Sequence, residues 1–316
     1  MPESLETISP YVAIHPGNLQ AAAFPGAFFL QEKLMAQLLP QRFADSHKGT
    51  YGRVALWAGS QAYPGALCLA AEAALRSGVG YVEVASDPSA LDLCLLRFPE
   101  VVLLSPRQAQ GLDLDPQLKA LAAGPGWSLQ PGHDQILENL LASPYPLILD
   151  ADALNLLARR FSGPALCHRL SQRKPATTLL TPHPGEFARL APDLGGRKEE
   201  ANRLAAARSL SQASGAIVLL KGSRSLVALP DGICFICPES CSGLARAGSG
   251  DVLTGLCLGL AGQGISLAEA TLLAVWIHVK TAQLLASATS ERSMRVGDLA
   301  PNFYQVFRLL DQDLQA

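Results

Sequence analysis

The sequence predicts an α/β fold with a mainly parallel central sheet and helices on both faces. Three observations carry this. Short apolar runs alternate with helical patterns along most of the 316 residues, the rhythm of repeated βαβ units. The runs are apolar throughout, as strands covered on both faces must be. Hydrophobic residues reach 49% and charged ones only 16%, a balance that supplies a large buried core.

The elements follow in order. Residues 1–45 are broken by Pro10, Pro16, Pro25 and Pro40. Only Gln31–Leu39 has helical spacing there, so this stretch reads as an N-terminal arm or surface helix without a domain of its own. From Gly52 the texture changes. RVALWAG is a short buried strand ending at Gly59. Gly65–Gly78 is rich in alanine and leucine, with Gly78 placed to stop a helix. YVEVAS, residues 101–105, 118–126, 146–158, 176–190, 216–222 and 225–236 continue the series. Val252–Ala288 is the most apolar region. Gly262, Gly264, Glu269 and Lys280 interrupt it, so it reads as two core helices with no membrane span. No repeat, low-complexity tract or linker is visible.

Ligands of open parallel sheets bind beyond the carboxyl ends of the strands, and the unusual residues cluster there. In AGSGD, Gly248, Ser249 and Gly250 expose backbone amides at a helix start, which suits a phosphate. Asp251 follows and either caps that helix or acts as a general base. In TPHPGE, Pro182 and Pro184 hold His183 stiffly, either in an ordinary turn or as a donor to ligand. In LDADALN, Asp152 is placed to cap a helix, while Asp150 or Asn155 is placed to meet substrate polar groups or a Mg²⁺-bound water. Lys221 opens KGSRS, either a solvated turn or a neutraliser of phosphate charge. Gly124–Gly126 permits close approach, and Trp127 beside it is a candidate ligand contact. His278 on an apolar helix reads as a packed core histidine.

The net charge of −2 gives no global field for nucleic acid or an anionic membrane. The first fifteen residues lack a secretory pattern. The seven cysteines are therefore expected to be reduced thiols of a cytoplasmic protein. Cys234, Cys237 and Cys241 suggest a metal site, but no second pair or histidine completes one, and no metal residue is assigned.

Together HKGTYGRVALWAGS, PGALCLAAEAALRSGVGYV, AAGPGW, LDADALNLLA, TPHPGEFARL, LLKGSRSLVALPDG and GLARAGSGDVLTGL resemble the ATP/ADP-dependent NAD(P)H-hydrate dehydratase family. They occur in the family's order from Ser46 to about Leu299. The resemblance implies a ribokinase-like three-layer fold over residues 46–316. Many relatives carry an upstream epimerase domain, which residues 1–45 are expected to be too few to form. It also implies repair of hydrated NADH or NADPH, S epimer, with Mg²⁺ and ADP or ATP as phosphoryl donor. Bacterial members often use ADP and eukaryotic ones ATP.

By the same resemblance, Asp251 is the catalytic base. Gly248, Ser249 and Gly250 face phosphate. Lys221, Gly222, Ser223, Arg224, Ser225 and Gly250 hold nucleotide. Ala66, Gly126, His183, Asp152, Asn155 and Asp251 meet the hydrated dinucleotide. A homo-oligomer is expected, and neither nucleic acid nor membrane is.

The chain departs from the family where CSGLA stands in place of NPGLA, losing a proline's fixed φ. It departs again where Val279 and Lys280 replace small residues after His278. Two rival readings remain at this level: a small-molecule kinase of the same fold, and a nucleotide-binding regulator without catalysis.

Overall fold

The computed structural model describes residues 8–13, 19–194 and 200–313. Its elements are β1 (Gln20–Ala21), β2 (Ala27–Phe29), α1 (Glu32–Leu38), β3 (Arg53–Trp57), α2 (Pro64–Arg76), β4 (Tyr81–Ala85), α3 (Pro88–Arg97), β5 (Val102–Leu103), α4 (Pro106–Ala109), β6 (Leu118–Ala123), α5 (His133–Ala142), β7 (Leu147–Leu149) and α6 (Ala151–Arg160). There follow α7 (Gly163–Ser171), β8 (Thr178–Leu180), α8 (Pro184–Leu190), α9 (Glu200–Ser214), β9 (Ile217–Leu220), β10 (Leu226–Ala228), β11 (Cys234–Ile236), α10 (Ser249–Ala261), α11 (Leu267–Ala288) and α12 (Leu299–Asp313).

The strands form one sheet in the order β1-β2-β11-β10-β9-β8-β7-β6-β3-β4-β5. From β9 to β5 every neighbouring pair is parallel. The stretch at 225–236 departs from that pattern. It folds into an antiparallel hairpin, β10–β11, because Gly232 takes a left-handed turn at φ +90°.

Strand alternation divides the interior in two. Val54, Leu56, Ile148, Leu179 and Ile217 enter one core with α1, α2, α3, α10, α11 and α12. Trp57, Leu147, Leu149, Leu180 and Val218 enter the other with α5 to α9. This is the three-layer arrangement expected from strands apolar on both sides. Cys234 and Cys237 fall into opposite cores, so they point away from each other across the sheet.

The N-terminal stretch is a correction to the reading as an arm or surface helix. β2 pairs parallel with β11. In α1, Leu34, Met35, Ala36 and Leu38 are buried and join the same core as α11 and α12. The helical spacing at Gln31–Leu39 is met by α1, but its apolar face is covered because distant α11 and α12 pack on it. Residues 1–7 and 14–18 of that stretch lie outside the described residues. α10 and α11 are the two separate core helices the glycines implied. α11 is long and apolar enough to cross a membrane by composition, but most of it is buried in this core.

α2 and α10 meet more closely than ordinary side chains permit. A Cβ on Gly255 would lie 2.0 Å from the Ala70 carbonyl oxygen, and one on Gly259 would lie 2.1 Å from Ser77 Oγ. This glycine seam fixes the loop before α2 relative to the loop before α10. Gly255→Ala is expected to destabilise the protein by about 3 kcal/mol through backbone overpacking. Denaturant unfolding checks this, and a change within about 0.5 kcal/mol would mean the seam gives way freely.

Candidate functional site

The site is built around the end of β7. Asp150 follows the last β7 residue, and its carboxylate is 1% exposed. Oδ1 accepts hydrogen bonds from Lys221 Nζ at 2.6 Å and Thr181 Oγ1 at 2.8 Å. Oδ2 accepts from Thr254 Oγ1 at 2.8 Å. These donors come from the loops after β9 and β8 and from the first turns of α10. A buried carboxylate demands such partners. Glu186 Oε2 stands 4.0 Å from the same ammonium. Burial opposes the charge on Lys221, but Asp150, Glu186 and Asp251 outweigh it and raise its pKa. Burial, only partly offset by Lys221, pushes Glu186 upward.

α10 starts directly above this pair. Gly248 is its N-cap at φ +94°; Ser249 N donates to the Arg246 carbonyl oxygen at 3.3 Å, so the first turn leaves open the Gly250 amide and not that of Ser249, contrary to the expectation that Ser249 faces phosphate with its amide. A Cβ on Gly250 would lie 3.3 Å from Lys221 Nζ and 3.6 Å from Asp150 Oδ2, so the turn runs close over the ion pair. Asp251 therefore does not cap the helix. No hydrogen bond to its carboxylate is found among the described residues. Burial, then the negative charge of Asp150, push its pKa up to about 7, against the pull of Lys221. A carboxyl poised near neutrality suits general-base work. Below the turn, Ser249 Oγ lies 3.4 Å from His278 Nε2. His278 is the buried core histidine expected, held neutral because burial lowers its pKa to about 4.

The other predicted residues distribute unevenly. Ala66 and Gly126 are brought together: a Cβ on Gly126 would lie 2.5 Å from Ala66 Cβ. His183 is the N-cap of α8, with Nδ1 accepting from Gly185 N at 3.0 Å and Glu186 N at 3.4 Å. That bond puts the neutral ring's proton on Nε2, which lies 3.4 Å from Glu186 Oε1. Asp152 does not cap α6, whose N-cap is Asp150. Its Oδ2 instead accepts from Ser128 N at 2.7 Å and ties down the Gly124–Gly126 loop. Asn155 is committed to Asp152 and Arg189. Gly222 packs beneath Arg203. Arg224 leans toward Glu200 at 3.4 Å, away from the ion pair. Ser223 and Ser225 complete that turn. Trp127 is buried and stacks on His133 with ring centroids 4.4 Å apart.

Among the described residues no three His, Cys, Asp or Glu side chains gather as a metal centre. Asp150 is saturated by its donors. The residues present thus suit an ion that travels on a ligand's phosphates and keeps its waters.

A family profile described as NAD(P)H-hydrate dehydratase matches residues 54–302. The bifunctional NAD(P)H-hydrate repair enzyme Nnr of Moorella thermoacetica is 37% identical over 289 residues, covering 88% of this chain and 53% of that protein. The chain thus spans about half the length of that relative. The ADP-dependent (S)-NAD(P)H-hydrate dehydratase of Bacillus subtilis is 31% identical, covering 88% of this chain and 98% of that one. A crystal structure of the ADP/ATP-dependent Bacillus subtilis enzyme, co-crystallised with ATP and Mg²⁺, superposes with a TM-score of 0.79 at 32% identity, covering 89% of this chain and 98% of that one. A ribokinase-like protein of Enterococcus faecalis gives 0.77 at 25% identity, covering 92% and 99%.

Asp150→Asn strips Lys221 of its buried counter-charge and is expected to cost about 3 kcal/mol in denaturant unfolding. Adding Lys221→Met should recover part of that loss, because the orphaned charge is gone. Additive losses would show that the two groups do not act as a pair.

Proposed function

The chain belongs to the NAD(P)H-hydrate dehydratase family, and from that premise we propose that it restores hydrated NADH or NADPH at the expense of ADP or ATP. The observation that carries this reading is Asp251: a carboxyl poised near pH 7, without a hydrogen-bond partner among the described residues, beside open glycine amides.

In this reading the hydroxyl added to the nicotinamide ring attacks the terminal phosphoryl group. Its proton passes to Asp251 as the new P–O bond forms and the bond to the nucleotide leaving group breaks. The amides of Gly248 and Gly250 offset the charge on the phosphoryl oxygens, since phosphoryl transfer rests on positioning and electrostatics. Lys221 adds a fixed positive charge beneath them. Mg²⁺ enters as part of the nucleotide substrate and screens its phosphates. The ring then loses phosphate with a neighbouring proton, and its double bond returns.

Ala66 and Gly126 form the wall against the dinucleotide, and His183 Nε2 offers it a hydrogen bond. Asp152 acts by holding the Gly126 loop, and Asn155 by holding Asp152. Gly222, Ser223, Arg224 and Ser225 border the nucleotide. A cytoplasmic homo-oligomer is consistent with this chemistry.

Purified protein given hydrated NADH, Mg²⁺ and either ADP or ATP is expected to regenerate NADH absorbance only with nucleotide. A stable phosphorylated product without NADH would identify a small-molecule kinase instead.

The pH dependence follows from Asp251. A base works deprotonated, so kcat/KM should fall as pH drops through about 7. A flat acid limb down to pH 5 would remove Asp251 from the role. The same raised pKa makes folding take up a proton between the ordinary carboxylate range and about pH 7. Stability is therefore lost as pH rises through that window, and the burial cost is full above it. Asp251→Asn should raise the Tm at pH 8 by several degrees and change it little at pH 4. An unchanged or lowered Tm at pH 8 would contradict the burial cost.

A further inference from the structure

The same rim holds a second cavity, of about 220 Å³, beyond the carboxyl ends of β3 and β4. Trp57, Gly59, Ser86, Asp87, Trp127 and His133 are among its walls. β3 and β6 are neighbours in the sheet, yet β3 runs on into α2 on one face and β6 into α5 on the other. That divergence is the switch point at which open parallel sheets bind ligands. Neither Asp251 nor the Asp150–Lys221 pair lines this cavity.

Its polar groups are left incomplete. Ser86 Oγ is shut off from solvent with no hydrogen-bond partner, which native interiors rarely tolerate. Asp87 is the N-cap of α3 yet makes no cap bond, although aspartate there ordinarily binds the first turn. Its Oδ2 instead accepts from Gln61 N and Gln130 Nε2, both at 2.9 Å. No hydrogen bond to Oδ1 is found among the described residues. His133 Nδ1 lies 3.1 Å from the Ser128 carbonyl oxygen. A carbonyl only accepts, so Nδ1 carries the proton and the neutral ring keeps a lone pair on Nε2.

These groups select a ligand class. Asp87 and His133 both accept, and the Ser86 hydroxyl is shut behind the wall. Among the described residues no Lys or Arg lines the cavity, so a phosphate would meet Asp87 with no counter-charge from them. Indole rings and Ile136 supply apolar sides. The volume is below the roughly 300 Å³ of a whole small-molecule site, so it takes one part of a ligand.

We propose that this cavity binds the uncharged ribose end of a nucleoside, with its hydroxyls donating to Asp87 and His133. The nucleoside has two sources. One is the far half of the hydrated dinucleotide, reached along the Gly126–Trp127 loop, and that source rests on the function proposed above. The other is a free nucleoside.

Tryptophan emission tests the site, because Trp57 and Trp127 line it. With saturating Mg²⁺ and ADP present to fill the nucleotide site, adenosine is expected to change the emission saturably. Adenosine 2′-phosphate should bind about tenfold more weakly or worse. Asp87→Ala should weaken adenosine about tenfold, the loss of one hydrogen bond to a charged group. His133→Phe keeps a ring against Trp127 but removes the Nε2 acceptor, and should weaken adenosine, which keeps the test open if Asp87→Ala does not fold. No saturable response to adenosine, equal binding of the two probes, or indifference to both substitutions would overturn the proposal. A raised KM for hydrated NADH at unchanged kcat in Asp87→Ala assigns the cavity to the substrate's far half. An unchanged KM with weakened adenosine binding assigns it to a free nucleoside. Absence of turnover by the unsubstituted protein would overturn the function proposed above and leave the emission result standing.

Discussion

The buried ion pair between Asp150 and Lys221 is the constraint on which the rest of the site depends. A carboxylate this deep persists only with its lone pairs occupied. Its three donors come from β8, from β9 and from α10. The need to satisfy one carboxylate therefore draws three elements, distant in sequence, to the end of β7. It also leaves Asp251 beside a second negative charge in a poorly solvated place. Burial and that charge make Asp251 resist ionisation, which suits the base role proposed for it.

The glycine seam between α2 and α10 supplies the complementary constraint. One helix begins beside Ala66 and the other at the glycine turn Gly248–Gly250. Backbone contact at Gly255 and Gly259 leaves little freedom between these two starts. The start of α2 and the turn that opens α10 are thus two ends of one rigid packing unit, and the ion pair sets the floor beneath them. The Ser249–His278 contact fastens that turn from below.

Much of this was legible in the sequence because it is local. Two glycines before an apolar helix announce an anion cradle, and Asp251 sits within one turn of them. Continuous apolar strands announce a sheet covered on both faces. What stayed hidden depends on distant pairing. Asp150 and Lys221 are 71 residues apart, and nothing in either neighbourhood names the other. Thr254 looks like filler in a helix, although it is the residue that reaches Asp150. Asp152 looked like a helix cap, but the positive φ of Ala151, +45°, starts the helix so that Asp150 takes the cap position and Asp152 turns to Ser128. Three-residue β2 was too short to show a period, and the helical spacing of α1 did not say that its apolar face would be covered. The cavity beside β3 draws its walls from four strand ends and loops, which no single stretch reveals.

The claim at the centre of this account is that one carboxylate, Asp251, accepts the proton that lets a hydroxyl attack phosphorus. The most direct measurement is a single-turnover comparison of the unsubstituted protein with Asp251→Asn, recording phosphate release and NADH formation together from hydrated NADH, Mg²⁺ and the preferred nucleotide. The account predicts one phosphate per NADH for the former, and a rate lower by about 10²–10⁴ for the latter with nucleotide binding retained. Comparable rates in both proteins would contradict it and move the base elsewhere on the rim.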